Sequence, residues 1–452
     1  MPTVPARVVV AGTHSGVGKT TVATGLMAAL RRAGHRVGAA KVGPDFIDPG
    51  YHSLAVGRPS RNLDIWMSGA EAIAPLAARA GQGADVLVIE GVMGLFDGAG
   101  DGTPSSTADV AALLGAPVIL VVDAASMSQS VAALVRGFAT HDPRVRVAGI
   151  VLNRVGSAGH EALLRQALAP LGLPVLGVLR RDDRLVWRDR HLGLVPVAER
   201  GAEVAASIVL LADRIAACCD VAAVARLAAT APALTAAAPA LPPARQGPPV
   251  RVALAAGPSF SFTYPDNLEA LQAAGAELVP FDPCTATALP PAVHGLVAGG
   301  GFPEVHAAEL SANAPLLADV RRRIAAGLVT WAECGGLLWL CQDLDGHPMA
   351  RVVPARAAMT TRLTLGYRTA TISAATPLGP AGTVVRGHEF HYSATDPAGD
   401  LCTLTGRHGT GAGGFGGDRM VASYLHTHLG ARPDIAQSFV AACSALRLPY
   451  AG

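Results

Sequence analysis

Short, apolar, β-branched runs separated by helical stretches constrain this chain more than any other feature. In the first half they fall at residues 7–11 (RVVVA), 36–40 (RVGAA), 85–89 (DVLVI), 118–122 (VILVV), 146–152 (RVAGIVL) and 175–178 (VLGV). Runs of this length that are apolar throughout, not alternating, are expected of parallel strands buried on both faces. Parallel neighbours need crossover connections, and the intervening segments, such as 21–30 (TVATGLMAAL), read as the helices that make them. The expected fold class is therefore α/β, beginning with a doubly wound parallel sheet over residues 1–219. Residues 220–249 turn Ala/Pro-rich and read as a linker between domains. A second α/β unit follows over 250–452, with strands expected near 250–256, 293–300 and 328–334. The halves share no repeat, which points to two different chemistries.

Composition narrows the partners. Half of the residues are apolar and 15% are charged, so buried cores are affordable, and the formal net charge is only +2. Such a balance argues against nucleic acid or an anionic membrane as partner. The amino terminus lacks a cationic start and a long apolar stretch, and no apolar run approaches bilayer length. Seven cysteines stand without metal-ligand spacing, Cys218 and Cys219 being adjacent, which is expected of a reducing cytoplasm.

Between the first strand and the first helix lies AGTHSGVGKTT (11–21). The usual phosphate loop has a glycine, four residues, then Gly-Lys-Ser/Thr; here Thr13 occupies the glycine position and the glycine comes one residue early, at Gly12. Gly12, Gly16 and Gly18 let backbone N–H groups curl around an anion at a helix N-terminus. The expected ATP-binding set is Gly12, Thr13, Gly16, Gly18, Lys19, Thr20 and Thr21, with Lys19 reaching the outer phosphates and Thr20 offering a hydroxyl to Mg²⁺. Carboxylates for that ion come from KVGPDFIDPG (41–50) and EGVMGLFDG (90–98): Asp45 or Asp48, and Glu90 at a strand's C-terminal end. Lys41 is a second cation for phosphate or an anionic substrate, Asp97 lies in the following loop, and Asn153 in VAGIVLNR could read a purine edge.

The second half carries a different constellation. VTWAECGG (329–336) places Cys334 at an expected strand-to-helix turn followed by two glycines, where the helix N-terminus would favour thiolate. ASYLHTH (422–428) offers His426 and His428 as bases, and AGGGFPE (298–304) a glycine turn for an oxyanion. These residues resemble the class I glutamine amidotransferase domain. That resemblance makes Cys334 the nucleophile and His426 the base, with Gly300 and Gly301 in the oxyanion turn. The family's His-x-Glu is broken, since His428 stands where Glu is expected, so either histidine could be the base.

The shifted loop resembles the dethiobiotin-synthetase group of ligases, a P-loop NTPase-like fold that activates carboxylates with ATP. The whole set is similar to the cobyrinic or hydrogenobyrinic acid a,c-diamide synthases of cobalamin biosynthesis. The matching stretches are 41–50, 90–98, RHLGLV (190–195), AECGG (332–336), GHEFHYS (387–393) and ASYLH (422–426). The resemblance implies ATP- and glutamine-dependent amidation of two acetate side chains of a corrinoid, with Mg²⁺ near Thr20 and Glu90 and with Asp45 or Asp48 alongside. It also puts Lys19 and Lys41 near phosphates, Asp97 near the acceptor, and 387–393 lining the space between domains. ATP, glutamine and a corrinoid are the implied partners, and a homodimer is one admissible assembly. Other enzymes with related motifs are cobyric acid synthase, whose loop and elbow sequences differ, and the nickel-sirohydrochlorin diamide synthase. A partition-type ATPase is the reading from another class; it would carry Lys where His14 stands.

Overall fold

The computed structural model describes residues 3–100, 102–181, 189–190, 193–194, 197–236 and 249–446. The chain divides into two compact units, residues 1–239 and 240–452.

The first unit is built on a seven-stranded sheet. Its strands are β1 (Ala6–Gly12), β2 (Val37–Val42), β3 (Arg61–Leu63), β4 (Val86–Glu90), β5 (Val118–Asp123), β6 (Val147–Val155) and β7 (Val175–Arg180). They lie in the order β3-β2-β4-β1-β5-β6-β7, every pair parallel. The six runs read from the sequence are β1, β2 and β4–β7; β3 is too short to give a periodic signal. In β1 the valines 8, 9 and 10 are fully buried, as a strand covered on both faces requires. Strand order reverses between β4 and β5, on either side of β1, so the C-terminal ends of β1 and β4 flank the crevice where α/β sheets bind ligands.

Helix α1 (Lys19–Arg32) leaves β1 through the phosphate loop, and α2 (Ile47–Val56) follows β2. A third helix, α3 (Val197–Cys218), packs against both. It comes close enough to α1 that a Cβ on Gly25 would stand 2.4 Å from Ile215 Cγ1. The expected linker is shorter than its composition suggests. Residues Val221–Ala228 form α4, packed on β1, β4 and β7, and Leu234–Thr235 pairs antiparallel with Thr3–Val4. Ala-rich sequence is good helix material once a partner surface takes its apolar face. Arg7 ties this segment down by donating to Pro232 O at 2.7 Å. The remainder of the linker, 237–248, and residues 191, 192 and 195 of the stretch 190–195 lie outside the described residues.

The second unit has a six-stranded sheet made of β8 (Val250–Ala255), β9 (Ala276–Phe281), β10 (Gly295–Ala298), β11 (Val329–Glu333), β14 (Phe415–Gly417) and β15 (Met420–Ser423). The order is β9-β8-β10-β11-β15-β14, all parallel except the antiparallel edge pair β15–β14. A second layer of seven strands, antiparallel but for one short pair, includes β12 (Arg356–Ile372), β13 (Val384–Asp396) and β16 (His426–Thr427). Trp331, Leu425 and Phe439 are among the side chains of the core shared by these layers. Among the described residues no helix is long and apolar enough to cross a membrane.

Candidate active sites in the two units

In the first unit the loop's shape explains its displaced glycine. Only Gly16 and Gly18 of the loop have left-handed φ, 81° and 93°; position 13 does not require it, and threonine is accommodated there. Gly12 is needed for space, since a Cβ would meet Val17 Cγ2 at 2.5 Å and the Lys19 side chain at 3.0 Å. A Cβ on Gly18 would collide with Asn153 Nδ2 at 2.3 Å. That amide donates to Val17 O (2.8 Å), while its Oδ1 accepts from Arg154 N (2.9 Å). One N–H and one lone pair remain for a purine edge. Arg154, not singled out in the sequence, donates to Gly16 O at 3.0 Å and pairs with Asp123.

Around the loop the carboxylates converge. Thr20 Oγ1 donates to Glu90 Oε1 (2.7 Å) and lies 3.3 Å from Asp48 Oδ2. Lys41 Nζ bonds the same two oxygens, at 2.6 Å to Asp48 and 2.9 Å to Glu90, and donates to Gly91 O. Burial alone would lower the Lys41 pKa, but Asp48 and Glu90 outweigh it and raise it. Burial would conversely raise Glu90, yet Lys41 and His52 hold it well below the usual carboxylate range. His52, missed in the sequence, is fully buried with Nε2 2.6 Å from Glu90 Oε2. Its signal was available only as the sixth residue of α2, one turn beyond Asp48 on the same helix face. Lys19 is 7% exposed; burial, then Lys41, lowers its pKa to about 8, and it donates to His14 O at 3.2 Å.

Asp45 does not share Asp48's position. It accepts from Ile47 N at the start of α2 (2.8 Å), and burial followed by the Asp48 charge pushes its pKa well up. Asp45 is engaged by the start of its own helix while Asp48 Oδ2 lies beside Thr20 Oγ1, so of the two aspartates the geometry favours Asp48 as a cation ligand. Asp97 Oδ2 accepts from Gly94 N (2.9 Å), in a loop that also bonds Gly12 O through Leu95 N. The oxygen-only set of Thr20, Asp48 and Glu90 fits a hard divalent cation such as Mg²⁺. Thr13 Oγ1 lies 3.0 Å from His14 Nδ1, and Thr21 sits in the first turn of α1.

In the second unit Cys334 caps the six-residue helix Gly335–Leu340 with φ 46° and ψ −99°, a left-handed conformation that is strained for a residue with a side chain. The elbow is locked from several sides. Cys334 N donates to Ser423 O (2.8 Å) and Gly336 N to Gly299 O (2.9 Å). A Cβ on Gly336 would strike Ala298 O at 2.2 Å. His426, at the start of β16, faces the thiol and hydrogen-bonds with it. Burial would lower His426, but Cys334 and then Glu333 raise it to about 10, which favours the imidazolium.

Two expectations change here. Gly300 cannot lend its N–H to an oxyanion, because that N–H is given to Phe262 O (3.2 Å) in a reciprocal backbone pair. Its lack of a side chain serves His426 instead, whose Cε1 would be 2.4 Å from a Cβ there. Gly301 N turns toward the elbow, 3.2 Å from the place of a Cβ on Gly335. His428, the other candidate base, points elsewhere. Its Nε2 lies 3.7 Å from Asp266 Oδ2, both side chains fully buried, and its ring packs edge-on to Tyr264. In 387–393, His388 pairs in register with His426 across β13 and β16, and Glu389 pairs with Arg368 at 2.9 Å.

Comparison with known proteins agrees with both halves. A profile described as the CobQ/CobB/MinD/ParA nucleotide binding domain matches residues 8–194, and one described as the CobB/CobQ-like glutamine amidotransferase domain matches 251–434. The chain is 48% identical to a hydrogenobyrinate a,c-diamide synthase of Streptomyces coelicolor over 97% of both chains. It is 48% identical to the protein of that name in Thermobifida fusca, covering 98% of this chain and 97% of that one. A cobyrinate a,c-diamide synthase of Dehalococcoides mccartyi is 42% identical over 96% of this chain and 97% of its own.

Proposed function

The chain belongs to the hydrogenobyrinate/cobyrinate a,c-diamide synthase family, and from that premise we propose that it amidates the a- and c-acetate carboxylates of hydrogenobyrinate with ATP and glutamine. What carries the reading is a likeness that runs the length of both chains and so includes both units. The cobalt-free substrate is favoured over cobyrinate because the relatives named for it are more similar, at 48% against 42%.

Glutamine binds beside Cys334, whose thiolate attacks the side-chain carboxamide. Gly301 N–H, at the elbow, is the donor offered to the developing oxyanion. His426 gives the departing nitrogen its proton, so ammonia leaves and a glutamyl thioester remains. His426 then takes a proton from water, which releases glutamate and restores the thiol. In the first unit the corrinoid carboxylate attacks the γ-phosphorus of ATP, ADP departs, and an acyl phosphate forms. Ammonia attacks that carbonyl and phosphate leaves, giving the amide. Lys19 places its charge on the transferring phosphate, while the backbone N–H groups around Gly16 and Gly18 bind its neighbours. Thr20, Asp48 and Glu90 would hold Mg²⁺, which supplies charge neutralisation on the phosphates when bound. Lys41 holds the two carboxylates in place and favours the ionised form of Glu90.

ATP, glutamine and a corrinoid are thus the partners, in a cytoplasm that also suits the seven free cysteines. Sedimentation reads whether the protein is a monomer or a homodimer. The test supplies hydrogenobyrinate and cobyrinate in separate and mixed assays with ATP, Mg²⁺ and glutamine, following diamide by mass. Diamide formed preferentially from hydrogenobyrinate is expected. Failure to amidate either ring would overturn the reading.

A further inference from the structure

An imidazole that moves protons at one nitrogen works best when an acceptor fixes the other. In this chain the residue two positions after His426 is His428, turned to Asp266, so it is not that acceptor. Another carboxylate is close. Glu333, the last residue of β11 and the chain neighbour of Cys334, has Oε2 3.7 Å from His426 Nδ1. Its Oε1 accepts from Thr427 N (3.1 Å) and Thr427 Oγ1 (2.6 Å), the residue directly after His426. One carboxylate oxygen is therefore pinned to the strand carrying the base, which leaves the other facing the ring. The Glu333 side chain is about nine-tenths buried, where an anion is costly without a partner. The spacing to Nδ1 is longer than a hydrogen bond, as catalytic contacts often are before substrate closes the site.

We propose that Glu333 is the positioning residue for His426: it accepts the Nδ1 proton and so presents Nε2 to the Cys334 thiol, and the elbow thereby carries two members of one Cys-His-Glu triad. The inference rests on the glutaminase reading of Cys334 and His426 given above. It also gives the segment AECGG a reason for its acidic residue, which sequence reading left as part of a motif.

The competing role is a purely structural clamp on Thr427, and Glu333→Gln separates the two. Glutamine keeps an oxygen for Thr427 but turns an N–H toward Nδ1, which favours the wrong tautomer. In the full-length enzyme, glutamine hydrolysis by Glu333→Gln should lose kcat by roughly 10²–10⁴-fold with KM nearly unchanged, as misplaced triad tautomers do. Glu333→Asp should recover part of that loss. Thr427→Val, which removes the hydroxyl bond but leaves the Thr427 N–H bond to Glu333, should lose much less than Glu333→Gln. Glu333→Gln retaining wild-type kcat, or Thr427→Val losing as much as Glu333→Gln, would overturn the proposal. Should Glu333→Gln fail to fold, nitrogen NMR of histidine-labelled wild-type protein at a pH where the His426 ring is neutral decides: the remaining proton on Nδ1 is expected, and its presence on Nε2 sinks the idea. A Cys334→Ala control separates the two levels. If it still hydrolyses glutamine, the glutaminase reading itself fails; if it is inactive while Glu333→Gln is not, only the role of Glu333 does.

Discussion

Lys19 sits at a pKa of about 8 because the loop and α1 bury it beside Lys41, and that has a measurable consequence. Below pH 8 the ammonium is present before nucleotide arrives. Above it, the free protein holds a neutral amine, and ATP must draw a proton in to gain the ion pair. ATP affinity should therefore weaken as pH rises through about 8. At pH 9, calorimetry in buffers of different ionisation enthalpy should register proton uptake on binding. Constant affinity from pH 7 to 9.5 would mean that Lys19 stays charged without ligand. The two C-terminal histidines make a second test. His426→Ala should cut glutamine hydrolysis by about 10²–10⁴-fold, the usual worth of a general acid-base. His428→Ala removes one side of a buried contact with Asp266, so it should cost on the order of 1–3 kcal/mol in unfolding free energy. Its turnover per folded molecule should change little. If His428→Ala alone stops turnover, the base has been assigned to the wrong ring.

At the scale of elements, both sites depend on strand-to-helix turns that leave no room for a Cβ. Gly18 combines a left-handed φ with a 2.3 Å approach to Asn153, and Gly336 faces a backbone carbonyl at 2.2 Å. Gly18→Ala should cost about 1–3 kcal/mol of backbone strain and abolish ATP binding, seen in denaturant melts and equilibrium dialysis. Gly336→Ala should spare ATP binding and lower glutamine hydrolysis, because it forces β10 and the elbow apart. Six strands of the first sheet, three of the second unit and these turns were legible in the sequence because unbroken apolar runs and paired glycines are local signals, whereas the short β3 and the antiparallel layer were not. The helix at Val221–Ala228 was not. Its alanines and neighbouring prolines read as linker until β1, β4 and β7 supply the surface that its apolar face covers.

For the whole molecule, two chemistries in one chain predict a distinctive pattern of loss. Lys19→Ala should remove amidation whether glutamine or ammonium salt is the nitrogen source. Cys334→Ala should remove only the glutamine-dependent reaction, with amidation from ammonia persisting, as product analysis by mass would report. Loss of both in Cys334→Ala would argue against separable sites. The sequence by itself determined the α/β class, the order of the units, the phosphate loop and the family, because each is written in contiguous residues whose spacing has a local physical meaning. Only the tertiary structure decided what surrounds each of the paired candidates. Asp48 meets Thr20 while Asp45 meets the start of its own helix, His428 meets Asp266 while Glu333 lies nearer His426, and Gly300 N is taken by Phe262, all contacts between groups whose roles the proposals above assign. Proton affinity and hydrogen-bond capacity are set by those meetings, and no local spacing encodes them.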